Sequence, residues 1–564
     1  MTISPISKFA ATLVSLLVLQ LVIFCAIAPA EDLKIGSSNT AFADPQVPRP
    51  HTTPCTVTLY KNFVFDNFNA QSFSYTPPAG CPAPWAKVVL EADFSISAGN
   101  QYDRTANIWI GPTNIYFGTT SEPSAGVGRS WEVERDLTDY SSIFTVAQDG
   151  TVDLGNLVNS TYTGVLHGSA YLQFYPLEPK QAPPSAADQV IGFSSGPTGG
   201  TVALGSPTSL LEQTLTLPTN IRNVYLDVFA QGQSGNEEFW YTCVPNNVAN
   251  ELESCGNTSF RESEITIDGT PAGVAPIYPW IFTGGIDPFL WIPIPGVQTM
   301  NFLPYRVNLS PFASLLDDGN PHTIALSVFD DDGYFSATAS LLLCLDQNAT
   351  QLTGAVTENT LAVPVPDITE NIDTATNGNL HGTVNTSAGH NFQISGYINT
   401  AYGPVTTTVA QNIEFSNRMY FQILALSYIQ NIDQTTTIHS VVTTHNAGGR
   451  FVNTVNHAWP LLVDLTLLYN SDGSGVQTTT INQYYERDQE ATHNGEATSF
   501  SLLRNRVRAT DALDFNSSYE ITGNQKQSSS QNYFASDSTG YCYSRDITAA
   551  AGLLTSITNG LGCD

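Results

Sequence analysis

A chain of 564 residues is too long for one hydrophobic core, so about two to four domains are expected. Only 12% of residues are charged while 10% are aromatic, a balance that disfavours helices and suits Thr-, Ser- and Tyr-rich strands. Fifty acidic against twenty basic side chains give a formal charge of −30, which repels phosphate backbones and argues against a nucleic-acid partner. The shortage of bases also limits positive charge at low pH, so an acidic working environment is expected.

Lys8 precedes an apolar run over residues 9–30 that ends in the small-residue site Ala28-Pro29-Ala30. This predicts a signal peptide over 1–30, with Ala41-Phe42-Ala43 as a later cleavage site and a membrane anchor as the competing reading. A secreted protein with no stable membrane association after cleavage is expected. Six Asn-X-Ser/Thr sequons, beginning at Asn159, Asn257, Asn308, Asn348, Asn385 and Asn516, suit a eukaryotic secretory route.

Beyond the leader, short alternating segments separated by Gly, Pro, Asn and Asp predict strands over 88–97, 105–110, 170–175, 224–230, 322–329 and 336–345. A short helix is expected over 136–143. Four prolines within 176–185 mark a linker, since they cannot pair in a central strand. The division is then a first β domain over 50–178, a second over 186–350 and a third β-rich region over 365–564. The polar tract 525–531 reads as an exposed loop. Sequence proximity suggests disulfides Cys55–Cys81, Cys243–Cys255 and Cys542–Cys563, leaving Cys344 free.

Two clusters could carry chemistry. Tyr102-Asp103-Arg104 opens the apolar strand at 105–110, where a strand-end salt bridge is the plainer reading. Asn236-Glu237-Glu238-Phe239-Trp240-Tyr241 sets carboxylates beside aromatics that can raise a general acid's pKa, or simply packs a loop lip. Ser121-Glu122-Pro123 and Trp131-Glu132-Val133-Glu134 add further acids. Gly192-Phe193-Ser194-Ser195-Gly196 matches GxSxG but lacks the following helix of a nucleophile elbow, and Asp330–Gly333 and 470–473 read as turns rather than calcium loops. No CxxC pair or HExxH occurs, so neither a metal nor another cofactor is expected. These residues leave enzyme and lectin equally open.

In order, Cys81-Pro82, Tyr102-Asp103-Arg104, Ser121-Glu122-Pro123, Glu238-Phe239-Trp240-Tyr241, Phe260-Arg261-Glu262, Ile267-Asp268-Gly269 and Phe282-Thr283-Gly284-Gly285-Ile286-Asp287 resemble the peptide-N-glycosidase A family over about residues 55–345. The 103–108 segment is also similar to the catalytic strand of the bacterial peptide-N-glycosidase F type. The resemblance implies two jelly rolls side by side, a glycoamidase cleaving the Asn–N-acetylglucosamine amide, and an N-glycopeptide or glycoprotein substrate. It implies Asp103 and Glu238 as the catalytic carboxylates. Arg104, Glu122, Trp131, Asn156, Glu237, Trp240 and Trp291 are the expected substrate-binding residues, with Trp109 a further candidate for stacking on sugar. Asn156 stands where the bacterial type has a third cleft glutamate, with Glu122 the substitute. A lectin-like protein of the same fold that only binds glycans is the alternative.

Overall fold

A computed structural model describes residues 33–233 and 236–563. The expected signal segment 1–30 lies outside them. The described residues form an all-β protein built from five antiparallel sheets.

The first unit has eight strands: Cys55–Phe65, Gln71–Tyr75, Trp85–Ile96, Thr105–Ile110, Thr113–Thr119, Arg129–Asp136, Gln148–Asp153 and Leu166–Pro176. Counted in chain order, they lie 1-8-3-6 in one sheet and 2-7-4-5 in the other, the strand order of a jelly roll. From Leu90 onward the inward residues Leu90, Ala92, Phe94 and Ile96 alternate with the more exposed Glu91, Asp93 and Ser95 along Trp85–Ile96 and bury completely or nearly so. The second unit repeats the same order with Val202–Leu204, Leu211–Thr216, Ile221–Gln233, Glu262–Ile267, Thr270–Pro276, Tyr305–Asn308, Pro321–Val328 and Tyr334–Leu345. One extra strand, Gln189–Phe193, also pairs with Tyr334–Leu345. The six strands anticipated from alternation all exist, a few residues longer or shorter. The expected helix is a 3-10 helix at Thr138–Thr145.

The jelly rolls dock through a small aromatic core, in which Phe117 of the first meets Phe229 and Phe302 of the second at ring-centroid distances of 5.8 and 5.2 Å. Beside it, Arg306 binds Asp227 through two nitrogens and Asp139 through a third, and Tyr140 donates to Asp227 at 2.8 Å.

The C-terminal region is one eleven-stranded antiparallel sheet starting at Thr353, with strands as long as the 22 residues of Gly403–Leu424. Tight hairpins join them, for example at Asn494-Gly495, where φ values of 52° and 88° need the residues that tolerate left-handed backbone. This sheet is no separate body. Its Phe415 packs on Trp240 and Phe260, and its Trp459 and Tyr485 pack on Tyr278, so it shares one continuous core with the second jelly roll.

The tract 525–531 is a correction: it lies inside the strand Ile521–Asp537, not in a loop. Gln525 and Lys526 are exposed, whereas Gln527, Ser529 and Gln531 turn inward, and the two inward glutamines have partners there. Gln527 donates to the Ile292 carbonyl, and Gln531 donates to Asp44 and accepts from the Ala43 N–H.

Residues 33–50 form a strap across all three units. Gly36 and Ser37 pair with Leu554, the Ala41 N–H donates to the Pro293 carbonyl, and Arg49 bridges Glu91 and Glu134. Ala41 and Ala43 are in the core, so a cut before Asp44 would remove the Gly36, Ser37 and Ala41 contacts and leave those of Arg49. The structure pairs Cys55 with Cys81, Cys243 with Cys255 and Cys542 with Cys563, and leaves Cys344 free.

Candidate active site

Asp103 lies in the connection between the third and fourth strands of the first jelly roll, and Glu238 in the equivalent connection of the second. Glu122 lies between strands five and six of the first, and Gly284 between strands five and six of the second. Two equivalent loops from each jelly roll therefore build one site at their junction.

The Gly284 N–H donates to Asp103 Oδ2 at 3.0 Å, and the Asp103 N–H donates to Glu122 Oε1 at 3.2 Å. Glycine is required at 284 by contact rather than by φ. A Cβ there would sit 2.3 Å from Glu122 Oε1, closer than real Cβ contacts come, and 3.0 Å from Asp103 Oδ1, tighter than most, so one of the two carboxylates would have to shift. Thr283 anchors the turn by donating to the Thr120 carbonyl at 2.6 Å, across the two jelly rolls. Gly284→Ala should keep the fold and lower kcat by about 10²-fold, since about 1 Å of misplacement has that cost. Steady-state kinetics beside an unchanged circular-dichroism spectrum checks this.

All three carboxylates are half-buried, which leaves a substrate access to them. Burial, and then the charge of Asp103, pushes Glu238 up to about 7. The same two causes push Glu122 up to about 7. Burial also raises Asp103, opposed by the Gly284 N–H and by Arg104. The arrangement favours one ionised carboxylate, Asp103, flanked by two carboxylic acids. Arg104 supplies the nearby positive charge. Its guanidinium donates to Gln101 at 3.1 Å rather than to Asp103, and its buried Nε has no partner among the described residues.

Several expected substrate contacts prove structural. Glu237 is fully buried in a two-pronged ion pair with Arg261, both hydrogen bonds 2.9 Å, and also accepts from the Asp332 N–H. Asn156 is fully buried and donates to the Phe65 and Gly164 carbonyls, holding the loop at 155–164. Trp109, Trp131, Trp240 and Trp291 are 0%, 2%, 3% and 3% exposed, so none offers a ring face to sugar. Trp131 instead stacks on Phe94, and Trp291 donates to the Gly285 carbonyl behind the turn.

Tyr102 and Tyr162 are the accessible aromatics next to Asp103, and neither was among the expected substrate-binding residues. Tyr102 is 55% exposed, its ring is 5.2 Å from that of Tyr162, and it lies close enough to Glu122 and Arg104 to feel their charges. The sign available in the sequence is the adjacency of Tyr102 to Asp103. The Glu122 loop is fixed from outside: Arg129 Nε donates to the Glu122 carbonyl at 2.6 Å, and the strap's Thr40 donates to Ser121 at 2.8 Å.

Paired jelly rolls with a carboxylate cluster at their junction define an all-β protein of the hydrolase kind, with its site divided between two halves. Residues 45–360 match the family described as Peptide N-acetyl-beta-D-glucosaminyl asparaginase amidase A, and the chain belongs to that family. A curated relative, Peptide-N4-(N-acetyl-beta-glucosaminyl)asparagine amidase A of Prunus dulcis, is 28% identical over 526 residues and covers 89% of each chain. Among solved structures, PNGase F from Flavobacterium meningosepticum is 13% identical with a TM-score of 0.33, covering 52% of this chain and 96% of that one. PNGF-II is 12% identical with a TM-score of 0.36, covering 52% and 66%.

Proposed function

We propose that this chain is a glycoamidase that hydrolyses the amide joining Asn to N-acetylglucosamine in N-glycopeptides or glycoproteins, with Asp103 as its central carboxylate. The observation that carries the reading is the meeting of Asp103 and Glu122 at the Gly284 turn, with Glu238 of the second jelly roll close enough to Asp103 to feel its charge. Amide hydrolysis needs an activated water, stabilisation of the developing oxyanion and a protonated leaving nitrogen. Asp103, held by the Gly284 N–H, orients the water and takes its proton. Glu238 keeps its proton and serves the leaving nitrogen and sugar. Glu122 donates a hydrogen bond beside Asp103, a third carboxyl role that Asn156 cannot fill. Arg104 supports the oxyanion, and Tyr102 with Tyr162 gives the sugar an aromatic face. The products are an Asp-containing peptide and a glycosylamine.

Incubation with a defined N-glycopeptide followed by mass spectrometry tests this. Conversion of the glycosylated Asn to Asp is expected. An unchanged peptide that still binds would support the lectin-like alternative, and N-acetylglucosamine left on Asn would indicate a glycosidase.

The pH dependence follows from the two raised acids. With Glu238 and Glu122 titrating near 7, the active protonated forms are present below that value and are lost as pH rises through it. The optimum should lie on the acid side of neutrality, and a rate still rising above it would reject these roles. Glu238→Gln should lower kcat by about 10²-fold in the same assay. A near-normal rate would move the acid role to Glu122.

A further inference from the structure

Three residues beyond Gly284, Asp287 caps the 3-10 helix Pro288–Trp291, its Oδ1 accepting from the Phe289 N–H at 2.8 Å. Its Oδ2 is buried and meets no donor among the described residues. Facing it from the strand Glu496–Phe515 of the C-terminal sheet is Asp511, both of whose carboxyl oxygens are likewise buried without a donor. The two residues are 2% and 1% exposed, and their carboxyl groups lie within hydrogen-bonding reach of each other.

No Lys, Arg or His among the described residues forms an ion pair with either group. The groups that face them are the Phe289 and Leu290 N–H groups on the Asp287 side and the Asn524 amide on the Asp511 side. Two ionised carboxylates buried in contact repel each other and lack solvation. One shared proton turns the same contact into an O–H···O hydrogen bond and gives a partner to one oxygen on each residue.

We propose that Asp511 shares a proton with Asp287 and so fixes the Gly284 turn on which Asp103 rests, which makes Asp511 a positioning residue supplied by the C-terminal sheet. The inference rests on the assignment of Asp103 as the central carboxylate. The connection is short. The Asp287 N–H donates to the Gly285 carbonyl at 2.7 Å, the Gly285 N–H donates to the Phe282 carbonyl at 3.0 Å, and Gly284 between them holds Asp103.

Burial and the neighbouring Asp287 charge hold a proton on Asp511 up to about 8, against an ordinary value of 3.8. The folded state therefore binds more protons than the unfolded chain between these values. Stability from this pair is fully present at the acid end and is lost as pH rises toward the upper one.

Asp511→Asn tests the proposal, because an amide can donate to Asp287 at every pH. Relative to the parent, its unfolding midpoint should climb steadily between about pH 5 and about pH 8. Hydrogen–deuterium exchange in the peptide spanning 282–290 should match the parent at the acid end and be slower than the parent at the alkaline end. The ratio of variant to parent kcat should rise several-fold over the same interval, with little change in KM. Asp287→Asn, which keeps the Oδ1 that caps Phe289, should show the same pH signature if Asp511→Asn fails to fold. Parallel stability curves and equal exchange at all pH values would overturn the shared proton. The stability and exchange signature with a flat kcat ratio would overturn the positioning role. The first two readouts need no turnover, so an absence of glycopeptide cleavage would count against the proposed function and leave this test standing.

Discussion

Asp103→Asn is expected to lower kcat by about 10³-fold or more while leaving the protein folded, because it removes the base and keeps the shape. The amide oxygen of Asn can still accept the Gly284 N–H that holds Asp103 Oδ2 at 3.0 Å, so the turn has no reason to move. What disappears is the negative charge. The loss should therefore fall on kcat, with the affinity for glycopeptide, read by titration calorimetry, changing little. The variant has a second signature. The Asp103 charge helps to raise both Glu122 and Glu238, so removing it lowers both, though burial, the larger cause, remains. Any residual activity should then lose its acid form at lower pH than the parent does. Near-normal turnover in this variant would end the claim that Asp103 is central.

The largest stability effect is expected at Arg261. Its side chain and that of Glu237 are both 0% exposed, and the guanidinium also donates to the Asn257 and Phe260 carbonyls. Arg261→Ala strands the Glu237 carboxylate in the interior and leaves those carbonyls without a donor. Breaking a buried pair in this way costs about 3–5 kcal/mol. Chemical denaturation of the variant beside Arg261→Met/Glu237→Leu separates charge from packing. The double change removes the stranded charge and should recover part of the loss, with the unpaired carbonyls and the Asp332 N–H accounting for the remainder. Equal stability of the single variant and the parent would contradict the burial described for this pair. Since Glu238 follows Glu237 directly, activity should fall together with stability in the single variant.

The contrast between Glu237 and Glu238 shows what the sequence could and could not disclose. Adjacent glutamates in Glu237-Glu238-Phe239-Trp240 carry the same local signal, and only the position of Arg261 decides which one turns inward. Six of the jelly-roll strands were legible, among them Trp85–Ile96, where Leu90, Ala92, Phe94 and Ile96 are buried at every second position, and Tyr334–Leu345, which is buried on both faces. Glu122 read as one loop acid among several, and its nearness to Asp103 depends on how two loops meet. Gly284 was quoted within a motif but not as a site residue, because its contribution is the side chain it lacks. Tryptophan rings invite assignment to sugar binding, yet their size makes them equally useful inside, where Trp131 and Trp240 lie. The tract 525–531 misled for the opposite reason. Gln and Ser normally mark exposed loops, whereas here Gln527 and Gln531 point inward and bind the carbonyls and carboxylates of packed neighbours. The eleven-stranded sheet could not be anticipated from typical strands of about five or six residues.

The division of the site between equivalent loops of two jelly rolls has a consequence for when activity arises. A chain whose first half has folded alone holds Asp103 and Glu122 but has neither the Gly284 N–H to fix the first nor Glu238 to complete the set. A chain with only its second half folded has the reverse. Under the proposed roles each half alone lacks a chemically different part, and the carboxylates meet only where Phe117 docks against Phe229 and Phe302.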